Sequence, residues 1–297
     1  MRGRPAPSCR TWGRRLSAAF LPLLLAACGP KDIGPPARPA MWLVEDDDTR
    51  IFLLGTMHAL PRGTDWQTGA VAGAIDAADE LVMELSPREL AAAGPMFTAL
   101  APRSEPLAVD DRLPPDALAR YRALDADIDG DALDDWAIMV LMGQRAAQKA
   151  RLSPADGVET GLRARFEATD KPISGLETAR SQLMLFETLD AATQRALLIR
   201  AASHADRAPE EIKRLTAAWA RGDVATLEAI INEDVDAVPA ARRAIITDRN
   251  RAWSDWAARR MEKPGTVMMA VGAGHLIGDD GVPAMLGAQG YKVTRVQ

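Results

Sequence analysis

Two short segments with the same pattern are the key to this sequence: Ile51-Phe-Leu-Leu-Gly-Thr-Met-His58 and Thr266-Val-Met-Met-Ala-Val-Gly-Ala-Gly-His275. Each contains an apolar run of strand length that ends at a glycine, and a histidine follows three residues after that glycine. The glycine permits a sharp exit from the strand, so each imidazole is expected at the edge of a sheet. Because the chain has only three histidines, this matched pair favours a functional role over a structural one.

Apolar runs between turn signals predict the strands of this sheet. Residues 41–44 and 51–54 are separated by the turn-like cluster Glu45-Asp-Asp-Asp-Thr-Arg50, which predicts a hairpin. Five further runs predict strands at 81–83, 106–109, 172–175, 266–271 and 291–296.

Helical periodicity fills most of the remaining chain. The predicted strands lie toward the two ends of the chain, and the middle, roughly 110–262, is mostly helical. We therefore predict an α/β fold: a central mixed β-sheet with surrounding helices and a largely helical middle insertion. The predicted helices are 67–79, 87–100, 114–124, 132–150, 157–169, 178–203, 209–220, 223–232, 237–262 and 280–289.

Two glutamates also follow predicted strands. Glu84, within Leu81-Val-Met-Glu-Leu85, is costly to bury unless it is paired or bound to a cation, although it could instead cap the helix that follows. Glu177 precedes another helix, where capping and function are equally good interpretations. Together with His58 and His275, these carboxylates would suit Zn²⁺, Mn²⁺, Co²⁺ or Fe²⁺. Such a metal could activate water for attack on a carbonyl.

Other common site patterns are missing or incomplete. The sequence has no H-E-x-x-H, G-x-S-x-G or Walker A motif. The segment with Asp125, Asp127 and Asp129 matches the first half of a calcium loop, but position twelve is Trp136 where a bidentate Glu is required. This favours a solvated acidic loop over a calcium site. The third histidine, His204, is expected on the surface at a polar helix end.

The N-terminus has the pattern of an export signal. Residues 1–27 combine a basic region ending at Arg14-Arg15 with an apolar run that is too short to span a bilayer. Leu25-Ala-Ala-Cys28 resembles a bacterial lipobox, so Cys28 is the expected lipidation site. A plain secretory signal with a chance cysteine is the alternative.

This signal predicts a lipoprotein of the bacterial cell envelope that faces the periplasm. The outer membrane is favoured, because Gly29 replaces the acidic residue that often retains lipoproteins at the inner membrane. Residues 28–39 are rich in Pro and Gly and predict a flexible tether before a domain at 40–297.

Five arginines lie within residues 1–27 and the formal net charge is −5, so the rest of the chain carries −10. An acidic body argues against nucleic acid as a partner.

Five motifs in order give the chain its family resemblance, from about residue 39 to 296. The segment from Pro39-Ala-Met-Trp42 to Gly55-Thr-Met-His58 resembles the opening of the TraB/GumN family, to which the Tiki proteins are related. The remaining motifs are Leu81-Val-Met-Glu-Leu85, Lys171-Pro-Ile-Ser-Gly-Leu-Glu177 with Gln182 and Phe186, Asp248-Arg-Asn-Arg251, and the Val271–Val293 segment that contains His275.

The resemblance implies a cleft that contains both histidines and Glu84. In Tiki relatives such residues are taken as a metal-dependent protease site, discussed with Mn²⁺ or Co²⁺. Carried over, His58, Glu84 and His275 become catalytic or metal-binding residues, and Glu177 a further metal ligand. Arg249 becomes a candidate for stabilising an oxyanion or anchoring a carboxylate, with a helix-surface ion pair as the alternative.

The sequence therefore favours a lipid-anchored metal-dependent hydrolase that acts on a peptide or protein. Its metal would be Mn²⁺, Co²⁺ or Zn²⁺, and a metal-free variant with a histidine base stays open. The alternative is a non-catalytic envelope lipoprotein that binds or sequesters a peptide or protein partner, since some relatives inhibit peptide signalling. A structural envelope protein has the least support, because the helices show no large surplus apolar stripe.

Overall fold

A computed structural model of the chain describes residues 36–124 and 128–297. Within them, eight β-strands form one sheet of six strands and one of two. Both runs of the predicted N-terminal hairpin and four of the five other predicted strands are present. The strands are β1 (Met41–Glu45), β2 (Thr49–Thr56), β3 (Leu60–Pro61), β4 (Glu80–Leu85), β5 (Leu152–Ser153), β6 (Ile173–Glu177), β7 (Gly265–Gly272) and β8 (Lys292–Arg295).

The large sheet has the strand order β6-β4-β7-β2-β1-β8. Strands β6, β4, β7 and β2 are parallel neighbours, whereas β1 is antiparallel to both β2 and β8. The predicted hairpin is confirmed, with Glu45 opposite Arg50. Because the four parallel strands run the same way, their carboxyl ends meet at one edge of the sheet. The mixed α/β fold predicted from the sequence is therefore confirmed.

Helices surround the sheet and form most of the middle of the chain. A π-helical segment, Arg243–Thr247, joins α10 to α11, and a short 3₁₀ segment, Ala273–Leu276, follows β7. The helices are α1 (Gly69–Ala77), α2 (Pro87–Leu100), α3 (Pro115–Leu124), α4 (Asp135–Lys149), α5 (Val158–Ala168), α6 (Ala179–Glu187), α7 (Ala191–Ser203), α8 (Ala208–Ala220), α9 (Val224–Val235), α10 (Pro239–Arg242), α11 (Asp248–Arg260) and α12 (Val282–Ala288).

Strand β7 shows how the sheet separates two apolar layers. Val267, Met269 and Val271 pack with α11 and α12 on one face, while Met268 and Ala270 pack with α1 and α5 on the other. All five residues are completely buried, as expected for a central strand covered by helices on both sides. The helical insertion has its own apolar core between α3, α4 and α7.

Three predicted elements differ from the structure. The strand predicted at 106–109 was wrong: the N–H groups of Leu107 and Val109 donate to Asp131, so this segment pairs with a loop. The single helix predicted over 178–203 is two helices, because the Asp190 side chain accepts from the N–H groups of Ala192 and Thr193 and starts a new helix. The helix predicted over 237–262 is interrupted by the π-helical segment.

Several predictions lie partly or wholly outside the described residues. The signal peptide and Cys28 precede residue 36, and Asp125 and Asp127 fall in the gap. Asp129 is described, and its neighbour Asp131 accepts a hydrogen bond from the Val109 backbone. In the ranges 36–124 and 128–297, no helix is both long and apolar enough to cross a membrane.

Candidate functional site

The carboxyl edge of the parallel strands forms the floor of a cavity of about 460 Å³. Glu84 lies near the end of β4, and His275 follows the end of β7 in the 3₁₀ segment. Arg249, from the first turn of α11, reaches the same edge, and His58 follows β2. The walls are apolar and come largely from the helical insertion, with Leu183 and Phe186 of α6, Leu215 of α8, and Leu227 and Ile231 of α9.

Arg249 is the centre of the polar floor, and its side chain is only 8% exposed. Nε and Nη2 donate to the two carboxylate oxygens of Glu177 at 2.8 and 2.9 Å. Nη2 also donates to Glu84 Oε2 at 2.7 Å, and Nη1 donates to His275 Nε2 at 3.0 Å and to the Ile245 carbonyl at 3.2 Å. All five N–H groups of this guanidinium therefore have an acceptor.

Glu84 is held in its ionised form. Its Oε1 accepts from the Gly272 N–H at 2.8 Å, and its Oε2 accepts from Gln182 and Arg249 at 2.8 and 2.7 Å. Burial acts to raise the pKa of Glu84, but the charge of Arg249, supported by the two histidines and the Gly272 N–H, outweighs it and lowers the pKa to about 2. Glu84 is thus a carboxylate at neutral pH.

His275 is buried and neutral. The Asn250 amide nitrogen donates to the Asp280 carbonyl, so its Oδ1 faces His275 Nδ1 at 2.7 Å and must accept from it. The proton is therefore on Nδ1, and Nε2 accepts from Arg249. Burial, and then the charge of Arg249, lower the pKa of His275 to about 4, although Glu84 opposes them. The ring also packs against Trp253, with 4.5 Å between centroids.

His58 has a different environment at the rim of the same cavity. Its Nδ1 lies 2.7 Å from Glu159 Oε1, which also accepts from the Thr56 hydroxyl at 2.5 Å. The His58 side chain is 75% exposed, whereas that of Glu159 is 20% exposed. The charge and hydrogen bond of Glu159 raise the pKa of His58. A histidine oriented by a carboxylate and open to a cavity can exchange a proton with a bound molecule.

The start of α5 fixes the backbone at His58. The Val158 N–H donates to the Met57 carbonyl at 3.1 Å. Gly157 packs so closely that a Cβ there would lie 2.2 Å from the His58 carbonyl oxygen. Only a glycine fits this contact, so the position of His58 depends on α5 as well as on β2.

The structure brings together Glu84, Glu177, Arg249 and His275 as one hydrogen-bonded network. Arg249 is not the helix-surface ion pair that was its alternative interpretation. His58 faces the same cavity but has no hydrogen bond to this network among the described residues.

Three site residues had no predicted role: Glu159, Asn250 and Gln182. Gln182 and Asn250 lie within the segments that carry the family resemblance, but nothing in those segments showed that they orient Glu84 and His275. Glu159 lies in the first turn of α5, where acidic residues are common because of the helix dipole. No sequence signal distinguished it from an ordinary helix-start acid.

The arrangement does not fit the predicted metal. Within the described residues, no group of three or more His, Cys, Asp or Glu side chains is placed to hold a metal ion. Glu84, Glu177 and His275 converge on Arg249 instead, and the Nε2 lone pair of His275 is engaged by it. The metal therefore stays a prediction from the sequence.

Comparison with known proteins identifies the family of the chain. A family model for the TraB/PrgY/gumN family matches residues 40–295. The chain belongs to that family. No curated protein and no solved structure gives a significant match. The TraB/PrgY/gumN match covers both Gly-x-x-His segments, Glu84, Glu159, Glu177 and Arg249, so the whole cavity floor lies within the family domain.

Proposed function

We propose that the chain is a hydrolase that cleaves a peptide or a related carbonyl compound in the cavity at the carboxyl edge of the sheet. The observation that carries this proposal is the exposed imidazole of His58, held at Nδ1 by Glu159 and open to the cavity. A carboxylate that orients a histidine and stabilises its protonated form is a recurrent arrangement in general acid–base catalysis.

The proposed step needs only residues of the chain. The deprotonated fraction of His58, which grows as the pH rises toward its raised pKa, takes a proton from a water molecule as the water oxygen attacks the carbonyl carbon, and Glu159 stabilises the imidazolium that forms. When the intermediate collapses, the same proton passes from His58 to the leaving amine or alkoxide, so protons balance over the cycle. The predicted dependence on Mn²⁺, Co²⁺ or Zn²⁺ is not part of this proposal, because the predicted ligands engage Arg249.

The cavity walls favour a substrate with an apolar side chain. Phe186, Leu227 and Ile231 face the cavity, and its volume of about 460 Å³ is in the usual range for small-molecule or side-chain pockets. Burying an apolar side chain against such a wall stabilises the complex by roughly 1.5–3 kcal/mol. We therefore expect a peptide with a large aliphatic or aromatic residue next to the scissile bond.

The test is a screen of fluorogenic peptides and esters with the purified full chain in detergent. We expect turnover of substrates with apolar residues, and His58→Ala should lower kcat/KM by about 10²- to 10⁴-fold. His204→Ala is the matched control, since it removes a histidine outside the site. Equal turnover in wild type and His58→Ala would reject the assignment of His58.

A second function is favoured by one observation: Glu84, Glu177, Arg249 and His275 satisfy one another's hydrogen bonds, as residues with a structural role would. The chain would then be a non-catalytic protein that binds a peptide or protein partner in the cavity. Binding of an apolar peptide without cleavage over days would support this second function, provided that Leu183→Asp, which places a charge in the apolar wall, weakens the binding. Turnover lost in His58→Ala would support the first.

We further propose that the protein is anchored to the outer membrane through Cys28 and faces the periplasm. The support is the signal-like pattern of residues 1–27 and the Leu-Ala-Ala-Cys motif. In a bacterial host, a clickable fatty acid should label the wild type and not Cys28→Ser, and density fractionation should identify the membrane. Labelling of both proteins would contradict the anchor.

A further inference from the structure

Arg249 lies where the predicted metal ligands converge. Glu177 faces it with both carboxylate oxygens, Glu84 with Oε2 and His275 with Nε2, all within 3.0 Å of a guanidinium nitrogen. The fourth predicted ligand, His58, bonds to Glu159 instead. The three inner ligands thus already share one cation, supplied by the chain itself.

These contacts use atoms that a metal would need. His275 has one lone pair available, on Nε2, because its Nδ1 proton is directed to Asn250. Nε and Nη2 of Arg249 form a bidentate ion pair with the two carboxylate oxygens of Glu177, which is stronger and more directional than a single contact. A metal could reach these donors only by displacing the guanidinium.

The surroundings of Arg249 oppose that displacement. Its side chain is 8% exposed, and its Cζ lies 4.5 Å from the centroid of the Trp253 ring, a cation–π contact. The Ile245 carbonyl of the π-helical segment accepts from Nη1 on the remaining side. A displaced guanidinium would leave a buried charge without its carboxylate partners, which is strongly unfavourable.

We propose that Arg249 is the resident cation of this site and acts as a positioning residue in place of a divalent metal. It holds Glu84, Glu177 and His275 together, and the wild-type chain binds no transition metal at these residues. This inference concerns the site of the proposed function, but it does not depend on turnover.

Removing the guanidinium should convert the same residues into a metal site. Two carboxylates and one imidazole form a donor set that Zn²⁺ and Co²⁺ accept. Asn250 would still orient the His275 ring through Nδ1, as groups outside a metal's direct ligands commonly do. A metal ion would also neutralise the two carboxylates that lose their partner.

The experiment measures metal binding by the purified full chain in detergent, with Zn²⁺ or Co²⁺ added alone and the bound metal counted after dialysis. We expect substoichiometric metal in the wild type and about one tightly bound ion per chain in Arg249→Ala. Arg249→Lys, which keeps a cation, should resemble the wild type. Arg249→Ala combined with Glu177→Gln should lose the gained ion, and Co²⁺ absorption should report nitrogen and oxygen ligands.

Arg260→Ala is the matched control, because Arg260 also donates to a glutamate, Glu80, but at the opposite end of β4. It should gain no metal. One ion per wild-type chain that is lost in Glu84→Gln would overturn the proposal, and so would a folded Arg249→Ala that binds no metal. If Arg249→Ala does not fold, the wild type and Arg249→Lys still test the proposal: the absence of bound metal in both supports it, and one ion per chain overturns it. Because no readout uses a substrate, failure here is distinct from failure of the proposed hydrolase.

Discussion

The two Gly-x-x-His segments have the same local sequence pattern but opposite environments. Their strands are parallel neighbours, with Gly272 opposite Thr56 in the register, so both histidines leave the sheet at the same edge. His58 is exposed, bound to Glu159, and has a raised pKa. His275 is buried between Asn250 and Arg249, and its pKa is lowered to about 4.

A repeated motif therefore specifies the position of a side chain and not its role. The glycine and the strand end place each imidazole at the edge of the sheet. The protonation state then depends on which charge is next to it, a carboxylate for His58 and a guanidinium for His275. The pair therefore combines one histidine suited to proton transfer with one that is a fixed hydrogen-bonding part of the floor.

The largest expected contrast is in stability. His275→Ala leaves an N–H of Arg249 and the Asn250 carbonyl without partners inside the protein, so it should lower the free energy of unfolding by about 2–4 kcal/mol. His58→Ala removes an exposed side chain whose ion pair with Glu159 is largely screened by solvent, so it should cost at most about 1 kcal/mol. Urea titration of both variants measures the two values, and equal losses would contradict the assigned environments.

The second contrast is in the pH dependence of stability. The pKa of His275 is about 4 in the folded chain against an ordinary 6.5, so between these values the unfolded chain binds a proton that the folded chain does not. The contribution of His275 to stability should be complete above pH 6.5 and should fall toward pH 4, by about 3 kcal/mol at most. Below pH 4.5, protonation of Glu84 in the unfolded chain adds to the loss.

His58 has the opposite sign, since its raised pKa contributes stability below pH 6.5 that is lost as the pH rises through the raised value. Urea titrations at several pH values test both statements. His275→Gln should reduce the loss of stability between pH 6.5 and pH 4 and leave the pH dependence of stability above pH 6.5 unchanged. If that variant still loses stability between pH 6.5 and pH 4 as the wild type does, the loss belongs to groups other than His275.

The third contrast is the titration of the two rings by NMR, which three histidines make simple to assign. Glu159→Gln keeps a hydrogen-bond acceptor for Nδ1 but removes the charge, so the pKa of His58 should fall by about one pH unit. The same variant should leave His275 unchanged. If the hydrolase proposal holds, the rise of kcat/KM with pH should move to lower pH together with the His58 titration.

The smallest expected effect concerns the contact between α5 and His58. Gly157→Ala would place a Cβ 2.2 Å from the His58 carbonyl oxygen, so the backbone must shift at a cost of about 1–3 kcal/mol. Gly73→Ala is the control: Gly73 lies in α1, and a Cβ there meets nothing within 4 Å, so stability should rise slightly. Thermal unfolding compares them, and an unaffected Gly157→Ala would show that α5 does not constrain His58.

Much of the fold could be predicted because periodicity is a local property. The hairpin, the strands predicted at 81–83 and 172–175, and most helices were correct, although β4 and β6 extend to include Glu84 and Glu177. The failures came from contacts distant in sequence or from single capping groups: the backbone at Val109 pairs with Asp131, and Asp190 starts a new helix where periodicity continues without a break.

The sequence alone determined the fold class, the family resemblance and which strand ends present histidines and glutamates, since strand length, glycines and apolar periodicity are encoded within a few residues of each other. The partners of those side chains depend on the tertiary fold. Glu159 reaches His58 across 101 positions, and Arg249 reaches Glu84 across 165. Those distant charges determine which imidazole is protonated and which cation occupies the floor, because electrostatic interactions depend on distance in space and not along the chain.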